Sequence, residues 1–277
     1  MEEISILDQF HGFLKSPDIF PEPKKSELKK FEFPEVVITD SLKASLKNLH
    51  HPRNSVLGKR MESFFEIAIE HSSRYDLIAS NIQIIEDKQT LGELDFLLFD
   101  NEKEKPLHVE LVYKLYVFDP EFPSELKSWI GPNRRDSFSE KLEKLSKKQF
   151  PLLLKDETSN YLEKLGLEPG EIEQQLCFKA QLYTPVDLDL KKDTIVNPHG
   201  YFGNWFSLEE FLEKNWTNNL FYSPKKRDWS CEPENNQNWM SHSSLLADIE
   251  TLFQNNKAPL VWMKTKKSYH RFFIVWW

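Results

Sequence analysis

Apolar positions along this chain recur with two periods. In "RNSVLGKRMESFFEIAIEH" the residues Leu57, Met61, Phe64, Phe65 and Ala68 return at the spacing of one helix face, and Asn54 or Ser55 stands where an N-cap belongs. "YDLIASNIQII" then reads as a strand. It is followed by the polar turn "EDKQ", a second strand beginning at Thr90, the charged turn "DNEKEK", and a third strand from Pro106 to about Val117. "RRDSFSEKLEKLSKKQF" returns to the helical period through Phe138, Leu142 and Leu145, with Ser137 and Glu140 spaced as a capping box. After a polar helical stretch, "LCFKAQLYTPV" reads as a fourth strand. Helix, three-strand meander, helix and strand together predict a mixed α/β core.

The flanks have a different character. "DQFHGFLKSPDIFPEP" predicts a short helix stopped by proline, and "KKSELKKFEFPEVV" is charged and proline-broken, so residues 1–45 are expected to form an appendage. From Asn197 the composition shifts to Asn, Trp, Pro and Gly. There "SLEEFLEKNW" predicts a short capped helix, and "APLVWMKTKKSYHRFFIVWW" a terminal hairpin turning near Lys266 to Ser268. The expected organisation is an appendage over 1–45, a core over 46–196, and an aromatic C-terminal extension over 197–277 packed on that core.

The second and third strands each carry an acid, Asp95 and Glu110. A symmetric turn at "DNEKEK" places Asp95 opposite Glu110, and pairs Leu98 with Leu107, Phe96 with Val109 and Leu94 with Leu111 on one apolar face. A slip of one residue would mix apolar and polar side chains on both faces. The other face then carries Asp95 with Glu110, Leu97 with His108, Glu93 with Val112, and Leu91 with Lys114. Opposed carboxylates repel, which raises the pKa of one unless a cation intervenes. A divalent metal would resolve the conflict, and Mg²⁺ takes one or two carboxylates and keeps several waters. The plain alternative is a solvent-exposed face on which Lys114 pairs with ordinary surface acids. Leu91, Leu97 and Val112 on the same face argue against full exposure.

Composition narrows the function classes. The net charge of −8 argues against coating nucleic acid through bulk charge and leaves room for a local basic groove. No apolar run is long enough to cross a bilayer, and "MEEISILDQF" is acidic where a secretory signal would be basic. Two cysteines, Cys177 and Cys231, imply no disulfide framework. A cytoplasmic protein without membrane partners is expected. There is no G-x-S-x-G, Walker loop or dinucleotide fingerprint, and the adjacent His50 and His51 have no zinc-ligand spacing around them.

Several blocks carry a resemblance: "LGKRMESFFE", "LGELDFLLFD", "LHVELVYKLY", "WIGPNRRDSFSEKLEKL" with "KKQFPL", and "CFKAQLYTP". They are similar to a bacterial family catalogued as domain of unknown function 1853, which is placed in the PD-(D/E)XK superfamily of restriction-endonuclease-like, metal-dependent nucleases. The resemblance implies a restriction-endonuclease-like core, Mg²⁺ or Mn²⁺ as cofactor, and DNA or RNA as partner. It implies Asp95 and Glu110 as metal-binding acids. The lysine expected two residues after the second acid is replaced by Val112, and Lys114 has the same strand parity. The proline of the family name is replaced by Leu94.

The remaining roles are read from faces. Glu62 falls just beyond one edge of the first helix's apolar stripe and reaches toward a helix–sheet boundary, whereas Glu66 lies further round. Glu62 therefore either assists the metal through water or is a solvated side chain. Gln149 lies on the apolar face of the second helix and Lys141 at its edge. Either they line the site, or Gln149 caps the helix before Pro151 and Lys141 snorkels. Lys114 or Lys141 would orient the nucleophile. His108 shares the face of Glu110. Trp262, Trp276 and Trp277 are expected to pack the hairpin, the alternative being base stacking or a protein interface. The expected function is phosphodiester hydrolysis; the alternative is a catalytically inactive nuclease-fold module for nucleic-acid binding or protein interaction.

Overall fold

The computed structural model describes residues 3–21, 28–51, 56–188 and 194–277. Helix α1 (Ile6–Lys15) is capped by Ser5 and followed by the two-residue strand β1 (Lys29–Lys30). Next come α2 (Asp40–Asn48), α3 (Leu57–Glu70), and the meander β2 (Tyr75–Glu86), β3 (Gln89–Asp100) and β4 (Lys105–Phe118). The short α4 (Glu125–Ser128) and β5 (Trp129–Ile130) precede α5 (Phe138–Lys144), α6 (Asp156–Lys164) and β6 (Glu173–Pro185). The chain ends with β7 (Tyr201–Ser207), α7 (Leu208–Glu213), β8 (Leu220–Tyr222), α8 (His242–Phe253), β9 (Leu260–Lys264) and β10 (Tyr269–Val275). The architecture is mixed α/β. The predicted N-cap at Asn54 or Ser55 lies outside the described residues.

Two compact units are present. One comprises Pro23–Tyr113 and Glu140–Lys179; the other comprises Met1–Glu22, Lys114–Ser139 and Ala180–Trp277. The expected boundaries near 45 and 196 fall inside these units. A β-meander explains the first unit: β2 and β3 pair antiparallel, as do β3 and β4, while β1 pairs parallel with β6. The two-residue turn between β2 and β3 uses Asp87 and Lys88, both with positive φ. Such a turn matches the twist of paired strands.

All five residues of the predicted stripe on α3 are buried, together with Ile67 and Ile69. Phe65 lies 4.5 Å, ring to ring, from Phe96 of β3 and 5.4 Å from Phe31. A second cluster joins Leu94 and Leu97 with Ile82 and Ile84 and with Leu152, Leu153, Leu162 and Ile172, so Leu94 does not keep apart from Leu97 as strict alternation predicted. The meander is thus covered on both faces, and Leu97, His108, Glu110 and Val112 are all buried. The fully exposed alternative for the acids' face is thereby overturned.

The second unit has a mixed sheet: β7 pairs parallel with β6 and with β10, while β10–β9 and β9–β8 are antiparallel. The terminal hairpin forms as predicted, and α7 carries the full capping box of Ser207 and Glu210. The tryptophans pack: Trp262 is fully buried, and Trp277 lies 5.3 Å from Trp205 with the Arg134 guanidinium 4.1 Å over its ring. In α1, a Cβ at Gly12 would lie 2.0 Å from the Ser230 carbonyl oxygen. Helix propensity favours alanine over glycine by about 1 kcal/mol. Here the backbone approach reverses the sign, because overpacking costs about 1–3 kcal/mol or more. Gly12→Ala is expected to lower the melting temperature, measured by calorimetry.

Candidate functional site

The site forms where the β3–β4 ladder stops. The pairs Asp100↔Lys105, Phe99↔Pro106, Leu98↔Leu107, Leu97↔His108 and Phe96↔Val109 continue the predicted register. The ladder ends one step before Asp95 and Glu110 would meet. Beyond it, the Asp95 carboxylate accepts the backbone N–H of Leu111 at 2.9 Å. A side chain thus takes a backbone donor that a strand partner would have used. The pair Leu94–Leu111, predicted by symmetry, is not part of the ladder.

Glu110 is fully buried and receives two side-chain donors. His108 Nε2 lies 3.0 Å from its Oε1, and the Gln149 amide donates to its Oε2. The Gln149 carbonyl oxygen in turn accepts from Lys141 Nζ at 2.9 Å. Behind His108, the Gln174 amide nitrogen donates to the Phe150 carbonyl at 2.8 Å and lies 3.0 Å from His108 Nδ1. With both amide hydrogens used in this way, Nδ1 is the acceptor and the ring proton sits on Nε2, aimed at Glu110. Two chains of donors therefore converge on one carboxylate: Gln174 through His108, and Lys141 through Gln149.

Asp95 is only partly buried. Its pKa is pushed up to about 8, first by burial and then by the negative Glu110, with a further push from Glu62. The Leu111 N–H and the Lys141 charge act in the opposite direction without cancelling the rise. The side-chain hydrogen-bond donors go to Glu110, while burial and the negative Glu110 favour the protonated form of the half-buried Asp95.

Glu62 faces this pair from α3 and forms an ion pair with Lys59 at 2.7 Å. Lys59 also donates to the Asn81 side chain. Burial opposes the Lys59 charge, but the hydrogen bond to Glu62 and the carboxylates of Glu62, Glu93 and Asp95 outweigh it and raise its pKa. Glu66 instead accepts a hydrogen bond from Ser80. Lys114 belongs to the other compact unit, where its ammonium pairs with Asp136. The alternative in which Lys114 pairs with the strand acids is thus replaced by a pairing with an acid from the loop after β5. A Cβ at Gly131 would meet the Asp136 carboxylate at 2.2 Å, so glycine lets that loop close on the side chain.

The second helix differs from the predicted continuous one. It is α-helical only to Lys144; residues Leu145–Gln149 form a π-helical turn and Phe150–Leu154 a 3₁₀ turn. Pro151 offers no N–H to continue an α-helix, and the wider turn gives Gln149 its position against Glu110. Lys144, Lys147 and Lys148 are exposed, and Lys147 pairs with Glu143 at 2.7 Å. Lys59 and Gln174 were not singled out from the sequence. Lys59 looks like half of an ordinary i,i+3 surface pair with Glu62, and the Gln174–Gln175 pair at the start of a strand carries no spacing signal.

Among the described residues, no helix is long and apolar enough to cross a membrane, and no group of three or more His, Cys, Asp or Glu side chains is arranged to hold a metal ion. No curated protein and no solved structure matches the chain. The model of the family described as domain of unknown function (DUF1853) matches residues 14–275. The chain therefore belongs to that family.

Proposed function

We infer that the acid pair is the centre of a Mg²⁺- or Mn²⁺-dependent phosphodiesterase acting on DNA or RNA, built on a restriction-endonuclease-like core. The observation that carries this reading is Asp95, a half-buried carboxyl group held at a pKa of about 8 beside a buried Glu110 that accepts two side-chain hydrogen bonds. That arrangement favours any cation able to replace the proton. Two carboxylates without a third ligand suit Mg²⁺ or Mn²⁺, which keep most of their shell as water and substrate oxygens, and do not suit a closed structural zinc site. Asp95 and Glu110 would hold the ion, which supplies Lewis acidity toward a phosphoryl oxygen and lowers the pKa of a water.

The chain's own residues do the rest. His108 and Gln149 fix the Glu110 carboxylate so that it need not reorganise when the ion binds. Lys141, bonded to Gln149 and close enough to lower the Asp95 pKa, offers positive charge to a phosphate and to the attacking water. Glu62, tied to Lys59, is placed to take a proton from water at the edge of the site. The test is cleavage of plasmid, single-stranded DNA and RNA with each metal. Asp95→Ala is expected to slow cleavage at least about a hundredfold. Cleavage that survives this substitution, or that persists in EDTA, would sink the reading.

One observation favours a second reading, a nuclease-fold module without catalysis that binds nucleic acid or a protein. Val112 occupies the usual lysine position, and Lys114 is committed to Asp136. Nucleic-acid binding that is unchanged when both acids are removed, with no cleavage under any metal, would select it.

A further inference from the structure

The second unit carries a cluster of positive charge that the acid pair does not use. Its frame is the loop from Gly131 to Asp136, just after β5. The Gly131 N–H donates to the Asp136 carbonyl and the Arg134 N–H to the Gly131 carbonyl, each at 2.8 Å. Arg134 makes the turn with a φ of +51°. Contacts from elsewhere in the unit fix the same loop. The Asn133 side chain accepts from the Ala258 N–H at 2.8 Å, and the Trp277 indole donates to the Pro132 carbonyl at 3.1 Å. The Arg134 guanidinium pairs with buried Asp119 and lies over the Trp277 ring. A loop tied down along its length presents what remains in a narrow range of positions, which lowers the cost of ordering it around a ligand.

What remains is Arg135. It is exposed and has neither an ion-pair nor a hydrogen-bond partner among the described residues. Lys226 opens a 3₁₀ turn (Lys226–Asp228), and its Nζ lies 5.4 Å from the centre of the Trp229 ring. Among the described residues it too has no acid bonded to it. Burial lowers the Lys226 pKa first, then the charge of Lys114, and Arg135 adds to both; Asp136 opposes the fall without cancelling it. Asp136 is itself bonded to Lys114. Three cations therefore share one carboxylate, and that carboxylate is engaged. Like charges gathered in this way cost free energy that a bound anion would recover. The whole chain carries a net charge of −8, so the cluster is not a by-product of a basic composition.

We propose that Arg135, Lys226 and Lys114 hold the phosphate backbone of a DNA or RNA strand. A guanidinium fork and two ammonium groups suit phosphate oxygens, and such contacts position a strand without reading its sequence. The choice of nucleic acid over an acidic peptide rests on the reading of the acid pair. The binding itself needs neither metal nor cleavage.

The experiment is fluorescence anisotropy of short labelled DNA and RNA strands with the full chain in EDTA, over about 50 to 200 mM salt. Arg135→Gln and Lys226→Gln, both at exposed positions, are each expected to weaken binding at least threefold for every sequence, with unchanged melting temperatures. Each should also lower the slope of log affinity against log salt by about 1. Asp136→Asn, which removes the one acid, is expected to strengthen binding. Because metal is excluded, absence of cleavage in a separate assay would count against the acid-pair reading and leave this readout intact. No binding at the lowest salt, an affinity and salt slope that ignore both glutamine variants, or displacement by polyglutamate as effective as by unlabelled strand would each overturn the proposal.

Discussion

Asp95→Asn is expected to stabilise the metal-free protein at pH 8 by about 3 kcal/mol. The folded pKa of Asp95 is raised from 3.8 to about 8, so the native state keeps a proton that the unfolded chain has released. Below about pH 4 both states are protonated and the substitution should be nearly neutral. Between about pH 4 and 8 the wild type loses stability as pH rises, at up to about 1.4 kcal/mol per pH unit, and above pH 8 the penalty is complete. The full shift sets an upper bound of roughly 6 kcal/mol, which partial solvent access to Asp95 reduces. Asparagine keeps an acceptor for the Leu111 N–H and removes the repulsion with Glu110. Urea melts of both proteins from pH 4 to 9 give the comparison. Added Mn²⁺ should reverse the order, stabilising the wild type and leaving the variant unmoved. Equal stabilities at pH 8 would mean that the two acids do not oppose one another.

Glu110→Ala should act in the opposite direction, costing about 3 kcal/mol at neutral pH. Truncation leaves the His108 Nε2–H and the Gln149 amide without an acceptor, at about 1–3 kcal/mol each, and opens a cavity beneath the π-helical turn. Relief of the repulsion with Asp95 offsets part of this. In Glu110→Gln, which keeps the volume and loses the charge, the destabilisation should be smaller. In both variants the Asp95 titration, followed by carboxyl carbon NMR, should fall below the wild-type midpoint of about 8, because a named cause of its elevation is gone. An Asp95 midpoint that does not move would assign the elevation to burial and Glu62.

Periodicity made much of this protein legible. The stripe on α3, the meander, its register down to Phe96↔Val109, the capped α7 and the terminal hairpin all follow from local rules whose range is a few residues. Asp95 and Glu110 stood out for the same reason, as charges at strand positions surrounded by apolar neighbours. The sequence also singled out Glu62, Lys141 and Gln149, which lie near the acid pair, but it left a functional and a solvated reading open for each. The two units were not legible, because each gathers segments from distant parts of the chain and three of their four boundaries fall inside β4, α5 and β6.

By itself, then, the sequence determined the stripe on α3, the meander with its register as far as Phe96↔Val109 and the terminal hairpin, and it singled out Asp95 and Glu110, since these depend on side-chain alternation and turn symmetry over a short range. Tertiary structure decided what the acids meet. It ended the ladder at Asp95, inserted the π-helical turn that brings Gln149 to Glu110, set Gln174 behind His108, and assigned Lys114 to Asp136. Those contacts join residues far apart in the chain. A carboxylate's proton affinity is fixed by burial and by neighbouring charges in space, quantities that no local spacing encodes.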